Sequence, residues 1–483
     1  MILQTHLLSD EERQKVHKQS IRVLEEVGMK FPGERALSLL EKNGAKIDWD
    51  NEIAYISEEM VRKALDTAPK EFTLGGRNPE FDLKLPTDET IINLDGAGIW
   101  TYDYELGKRR RSTTRDIANA ARIFDEIEIG NLVWAPVSPT EGEVPPEAES
   151  LLDMDVLFNN YTKHVQDEVK DRREVPLMVS MMKAILGSVE EIKRRKIYSV
   201  VYCTIAPLAN EQEMMEATMD LSHYMVPICA FPMPAAGSTG PASLFSNLVL
   251  NNAETLSIFV LFQCESPGVP ILFGSAAGIT NRRSGVLLEG AVETTLINAS
   301  MQDMAEFYGG FPTELAGCLS DSKTPGRQTA MEKALSTLPF FMVDADVVQG
   351  IGLFETSMTL CLEQILIDEE IALMCKRIRD GIKVCDETDF FEDIRAVSPT
   401  GHFLKQKNTR KTFRSGPEYF NPRLADRDTY EEWKNIGSPD MYQNAHKRVE
   451  EIIASEPKDP LPLNIQKEMK EILEEAVGVF SER

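Results

Sequence analysis

The stretch Pro227–Glu289 opens PICAFPMPAAGSTGPASLF (Pro227–Phe245), runs through a long helical pattern, and continues PGVPILFGSAAGI (Pro267–Ile279). Twice a short apolar run, Ile228–Phe231 and then Ile271–Phe273, ends in small residues, Gly and Pro. Each run is followed by a helix-compatible segment. That is the rhythm of parallel strands whose C-terminal ends open into small-residue loops, where α/β barrels place their active sites. These loops carry almost no ionisable side chains. Chemistry there is expected to rest on shape, dipoles and positioning.

Working outward, the chain from about residue 113 alternates helix and strand. Strand candidates are 132–137, 164–169, 197–205, 227–232, 271–274, 312–319 and 342–349. An eighth is expected near Ile91–Asp95 or after Cys385. This order predicts an (α/β)8 barrel, with a doubly wound open sheet as the alternative. Ser9 precedes Asp10-Glu11-Glu12 as a plausible N-cap, and Ser57-Glu58-Glu59-Met60 resembles a second capped start. Residues 1–85 read as a helical and β lead-in, 86–390 as the barrel, and 391–483 as a C-terminal helical extension packed on it.

The 483 residues carry 78 acidic against 52 basic side chains, a formal net charge of −26. Nucleic acid is thereby disfavoured, since phosphate backbones need clustered Lys and Arg. The basic cluster Lys108–Arg111 sits beside Asp103, Glu105 and Asp116 and reads as a solvated hairpin end. No run of 18 apolar residues predicts a membrane span, and no basic stretch followed by an apolar one suggests a signal peptide. Seven widely spaced cysteines without a CxxC fit reduced thiols and a cytoplasmic location. Six scattered histidines predict no metal site.

Several residues are candidates for a binding site. Gly350-x-Gly352 is either a phosphate-binding turn or a tight strand-to-helix turn. Glu355 beside it would repel phosphate and suits a cation. Trp100, Tyr102 and Tyr104 alternate along one strand and share a face; Phe354 follows the Gly350 turn. Such rings either pack in the core or hold a quaternary ammonium by cation–π attraction. Asp346 and Glu314 lie in apolar strand contexts, either at the barrel mouth or as paired structural carboxylates. Ser238 and Thr239, at an expected helix start, either cap it or hold a carboxylate.

The chain resembles the trimethylamine:corrinoid methyltransferase family, among its members without pyrrolysine. The resemblance is carried by Leu24–Gly28, Gly96-Ala97-Gly98, Thr162-Lys163-His164 and Asp321-Ser322-Lys323 with Gln328 and Glu332-Lys333. It continues through Gly350-x-Gly352-x-x-Glu355, Glu363-Gln364 with Asp368-x-Glu370-Ile371, Gly401-His402-Phe403-Leu404 and Trp433. The family implies an (α/β)8 barrel that moves a methyl group from an amine to the cobalt of a corrinoid (cobalamin) carried by a partner protein. Met331 aligns with the pyrrolysine of founding members, and Asn408 replaces an expected histidine.

A tertiary amine is a poor methyl donor, because its leaving group would be an amide anion. A quaternary ammonium leaves as a neutral amine and needs no general acid. The expected substrate is therefore a betaine-type quaternary amine: glycine betaine, proline betaine, carnitine or γ-butyrobetaine. Catalysis is by positioning, with Met331 and Glu355 beside the substrate. Trp100, Tyr102 and Phe354 form the cage, Asp346, Gln349 and Glu314 supply polar contacts, and Ser238 and Thr239 take the carboxylate. A homo-oligomer is possible, and the setting is one-carbon metabolism in methanogenesis or acetogenesis. The alternatives are a barrel lyase or aldolase using Lys323 on a phosphorylated substrate, and a non-catalytic betaine-binding scaffold.

Overall fold

A computed structural model describes residues 4–96, 98–139, 144–397, 399–416 and 418–481. Ala97, within the Gly96-Ala97-Gly98 motif, lies outside them. Eight parallel strands close into a barrel. They are β1 Ile91–Leu94, β2 Gly130–Trp134, β3 His164–Asp167, β4 Tyr198–Tyr202, β5 Ile228–Ala230, β6 Ile271–Ser275, β7 Thr313–Ala316 and β8 Val347–Ile351. Closure pairs Val347 with Ile91 and Val348 with Ile92. Of the two places proposed for the missing strand, Ile91–Asp95 is the one the barrel uses.

The last strand starts later than the apolar run 342–349 suggested. The preceding helix, Arg327–Met342, extends to that Met, and Asp344 then turns left-handed at φ 63°. The register of β8 against β1 also shifts between Val348 and Ile351. Gly350, at φ 108°, sits in that bulge. A Cβ there would lie 2.1 Å from the Gly317 carbonyl oxygen, so only glycine fits.

The lead-in has a physical task. Helix Leu244–Glu265 is apolar nearly all round and is the one described helix long and apolar enough to cross a membrane, yet 83% of that window is buried inside the protein. Helices Asp10–Glu26 and Glu58–Thr67 cover it. Ser20 donates to the Val249 carbonyl at 3.0 Å, and Asn252 donates to Ser20 at 2.9 Å. Ser9 and Glu12 form the reciprocal cap expected of them.

At the other end, helices Met441–Ala454 and Leu463–Ser481 pack on the outside of the barrel. The segment between helix Leu362–Arg379 and Arg423 does not. None of its described residues from Ile382 to Tyr419 is buried. The extension is thus packed only in its last part.

Candidate active site at the barrel mouth

Alternation along the strands turns every second side chain toward the barrel axis. On β7 that side chain is Glu314, fully buried. Asn93 of β1 and Gln166 of β3 each donate to it at 2.9 Å, and Gln349 of β8 donates at 2.5 Å. Burial raises the Glu314 pKa, and these amide donors oppose the rise. His164 lies on the same inner face of β3. Its ring nitrogens meet the Gly75 carbonyl at 3.0 Å and Ser199 Oγ at 2.8 Å. Burial pushes its pKa down to about 4, so the ring is neutral at pH 7.

Above this floor the loops after β1, β6, β7 and β8 converge. Asp95 follows β1 at the next inward position after Ile91 and Asn93. Burial, then the negative charges of Glu289 and Glu314, raise its pKa to about 8. Burial also raises Glu289 to about 7, against a hydrogen bond donated by Ser357 Oγ at 2.6 Å. Among the described residues neither Asp95 nor Glu289 has a salt-bridge partner. Asp321 ties the loops together: its Oδ1 accepts from the Glu289 amide at 2.9 Å and from Thr356 Oγ1 at 3.1 Å.

Three consecutive non-glycine residues here are left-handed: Glu355, Thr356 and Ser357, with φ of 60°, 58° and 54°. Each such residue costs roughly 1–3 kcal/mol and persists only where its surroundings over-determine it. Lys333 supplies part of that determination. Its ammonium donates to the Cys318 carbonyl at 2.8 Å, the Gly350 carbonyl at 2.9 Å and Asp368 Oδ2 at 2.7 Å. The same Asp368 oxygen accepts the Gly352 amide at 2.8 Å. Asp368 outweighs burial and keeps Lys333 protonated.

On the opposite side, Trp134 ends β2 and its indole N–H donates to Asp167 Oδ1 at 2.9 Å. Asp167 ends β3, and burial raises its pKa. Burial also raises the Cys203 thiol, helped by Glu168 and Asp95.

The residues singled out in the sequence distribute unevenly. Leu353–Phe354, Thr359–Leu360, Trp100–Asp103 and Lys108–Arg111 form a four-stranded sheet beside the mouth. Phe354 and Tyr102 meet edge to face, their ring centroids 5.7 Å apart. Trp100 is engaged instead by Arg111 and Arg109, whose guanidinium carbons lie 4.2 and 4.5 Å from its ring centroid. Its π face is therefore already occupied by cations. Glu355 accepts from Arg109 at 2.5 Å and from Thr359 at 2.7 Å.

Four of the expectations need correction. Asp346 sits at the N-terminal end of β8, away from the mouth, and accepts from the amides of Thr87 at 2.6 Å and Thr313 at 2.9 Å. These donors tie it to the strand ends rather than to a cation. Met331 is 59% exposed on helix Arg327–Met342 and lines no part of the mouth. Its neighbours Glu332 and Lys333 turn inward, so its own side chain faces outward. Ser238 and Thr239 precede no helix: helix Leu244–Glu265 begins after its cap, Ser243. Ser238 bonds Thr280 at 2.6 Å and Thr239 accepts the Ala235 amide at 2.9 Å. They stay on the mouth side of the barrel, beside a cavity of about 480 Å³ that Gly237, Thr280 and Arg282 line.

Asp95, Trp134, Asp167, Glu289 and Ser357 escaped sequence reading. Asp95 alone left a signal, as the next inward position on a strand already proposed. Lys323 is exposed and donates to the Asp321 carbonyl.

A closed parallel barrel with carboxyls and rings gathered at its C-terminal mouth defines an (α/β)8-barrel enzyme fold. The chain belongs to the trimethylamine methyltransferase (MTTB) family, whose model matches residues 1–476, and it is a methyltransferase of that family. It is 30% identical over 467 residues to the trimethylamine methyltransferase MttB of Desulfitobacterium hafniense, covering 97% of this chain and 93% of that one. It is also 30% identical over 452 residues to a glycine betaine methyltransferase of the same species, covering 93% and 92%. Among solved structures it is similar to the Methanosarcina barkeri monomethylamine methyltransferase MtmB, with 11% identity, a TM-score of 0.47, and 91% and 92% of the two chains covered.

Proposed function

We propose that this methyltransferase takes a methyl group from a betaine-type quaternary amine and delivers it to a corrinoid protein. The observation that carries the reading is the pair Asp95 and Glu289. A buried carboxyl, Asp95, beside a half-buried one, Glu289, neither in a salt bridge among the described residues, suits a ligand that brings its own positive charge. Burying an unpaired charge is costly, so a permanent ammonium is a fitting counter-ion. The name of one relative, a glycine betaine methyltransferase, agrees with this class.

The chemistry needs little else from the chain. A Co(I) corrinoid supplies the nucleophile. His164 lies in the floor with both ring nitrogens engaged and takes no part; the corrinoid would come with its own carrier protein. The C–N bond breaks heterolytically, its electron pair returns to nitrogen, and the amine leaves neutral. No proton has to be supplied. Asp95 and Glu289 hold the cation, and Phe354, Tyr102 and Trp134 offer ring faces and edges that aim one methyl outward. The attraction disappears with the charge, which favours release of the neutral amine. The carboxylate end of the betaine meets Arg282, beside the cavity that Gly237 and Thr280 line.

The test is a screen with free reduced cobalamin. Glycine betaine, proline betaine, carnitine, γ-butyrobetaine and trimethylamine are each added, and the Co(I) absorbance band is followed. One quaternary amine is expected to bleach it. Bleaching by trimethylamine alone, or by none of them, overturns the reading.

A further inference from the structure

The segment from Ile382 to Tyr419 is the part of the molecule that neither the barrel nor the mouth explains. None of its described residues is buried, although it is rich in large apolar side chains. Phe391 and Ile394 are each 60% exposed, Leu404 68% and Phe413 60%. Concentrated exposed apolar surface marks an interaction site. The Gly401-His402-Phe403-Leu404 motif lies within this arm rather than in the core.

Its charges are divided. From Asp386 to Ile394 there are five acidic residues and no basic one, flanked by Lys383 and by Arg395, which pairs with Glu392. From Pro399 to Gly416 there are five basic residues and no acidic one, a second basic cluster in the sequence after Lys108–Arg111. Both halves carry exposed apolar residues. Asp393 Oδ2 is shielded from water and lacks a hydrogen-bond partner.

The arm also starts far from the chemistry. Helix Leu362–Arg379 ends at the N-terminal side of the barrel, where Arg379 pairs with Asp344, just ahead of β8. The chain is fixed again where the amides of Arg423, Leu424 and Ala425 donate to Glu370 at 2.6, 2.8 and 2.9 Å. A methyl acceptor visiting the mouth has no need of a surface there.

We infer that this arm is the contact through which two copies of the chain pair, the acidic half of each lying on the basic half of the other. A two-fold interface is self-complementary: what one copy offers, the other receives. An arm with an acidic half, a basic half and apolar residues in both meets that condition by itself. An acidic foreign partner would leave the acidic half unsatisfied, and an anionic membrane surface would repel it.

The test is sedimentation equilibrium at micromolar concentration on the full chain. Wild type is expected at twice the 54.2 kDa mass of one chain. The double variants Arg410→Glu/Arg414→Glu and Glu387→Lys/Glu392→Lys are each expected as monomers. Their equimolar mixture is expected to regain the dimer, because the reversed halves complement each other. All four side chains are exposed, so melting curves should match wild type, which excludes misfolding as the cause. A monomeric wild type, variants that keep the wild-type mass, or a mixture that stays monomeric would each overturn the proposal. A foreign partner or a membrane predicts the first of these.

Discussion

Lys333 and Asp368 meet at 2.7 Å with neither side chain exposed to solvent. The pair joins helix Arg327–Met342 to helix Leu362–Arg379, and both partners also bind the backbone of the glycine turn between them. The two residues belong to the motifs that carry the family resemblance. Their geometry assigns them to architecture: they hold the turn that leads into Glu355–Ser357. Lys333→Met leaves Asp368 buried without its counter-charge, which typically costs about 3–5 kcal/mol. Replacing both, as Lys333→Met/Asp368→Leu, removes the uncompensated charge and should cost clearly less. Urea denaturation of the three proteins checks this; equal losses for the single and double variants would contradict it.

Gly350 tests the same turn from the backbone. A Cβ at this position would press on the Gly317 carbonyl, and φ of 108° disfavours any side chain. Gly350→Ala is expected to lower stability by about 2 kcal/mol or more, because backbone on two adjacent strands must move. Gly187→Ala is a control: φ there is 89°, but a Cβ would meet nothing within 4 Å. Its cost should stay near 1 kcal/mol, the penalty of the left-handed conformation alone. Thermal melts of both variants separate crowding from dihedral strain.

Asp95 and Glu289 give stability a pH dependence of unusual sign. Their folded pKa values, about 8 and about 7, lie above those of the unfolded chain. Between roughly pH 4, where unfolded carboxyls titrate, and pH 8, the folded state therefore binds more protons. Their contribution is complete below the unfolded values and is lost as pH rises through the folded ones. Melting temperature should fall from pH 6 to pH 8.5, and less steeply in Asp95→Asn/Glu289→Gln. Binding runs the other way. A quaternary ammonium should bind more tightly as these carboxyls ionise, with proton release that calorimetry in buffers of different ionisation enthalpy detects. A binding constant flat across this range would remove both carboxyls from the site.

The barrel was legible because its strands are short apolar runs closed by Gly and Pro, a pattern that needs no tertiary information. Site residues were less so. Asp346 and Glu314 look alike in sequence, each a carboxylate in an apolar strand. Their difference is position along the strand: Asp346 precedes β8, whereas Glu314 faces the axis inside β7. Trp100 and Phe354 both looked like cage walls. What separates them is the partner across the hairpin, since Trp100 pairs with Arg111 in the sheet while Phe354 meets Tyr102. Glu289 and Ser357 are brought together across 68 residues by loop geometry that no local pattern encodes.

Phe354 is the ring whose role is easiest to isolate. It is fully buried and packs edge to face on Tyr102, so truncation to Ala would mix lost packing with lost recognition. Phe354→Leu keeps most of the volume and removes the aromatic face. A desolvated cation–π contact is worth about 1.4 kcal/mol or more, which is about tenfold in rate. The variant should therefore lose about tenfold in kcat/KM for the quaternary amine, measured with free reduced cobalamin. Its melting temperature should stay within a few degrees of wild type, because an apolar swap of similar size costs about 1.5 kcal/mol at most. A loss of rate that tracks a large loss of stability would make Phe354 a packing residue. An unchanged rate would place the ammonium elsewhere, and Trp134, held by Asp167 across the mouth, would be the next ring to replace.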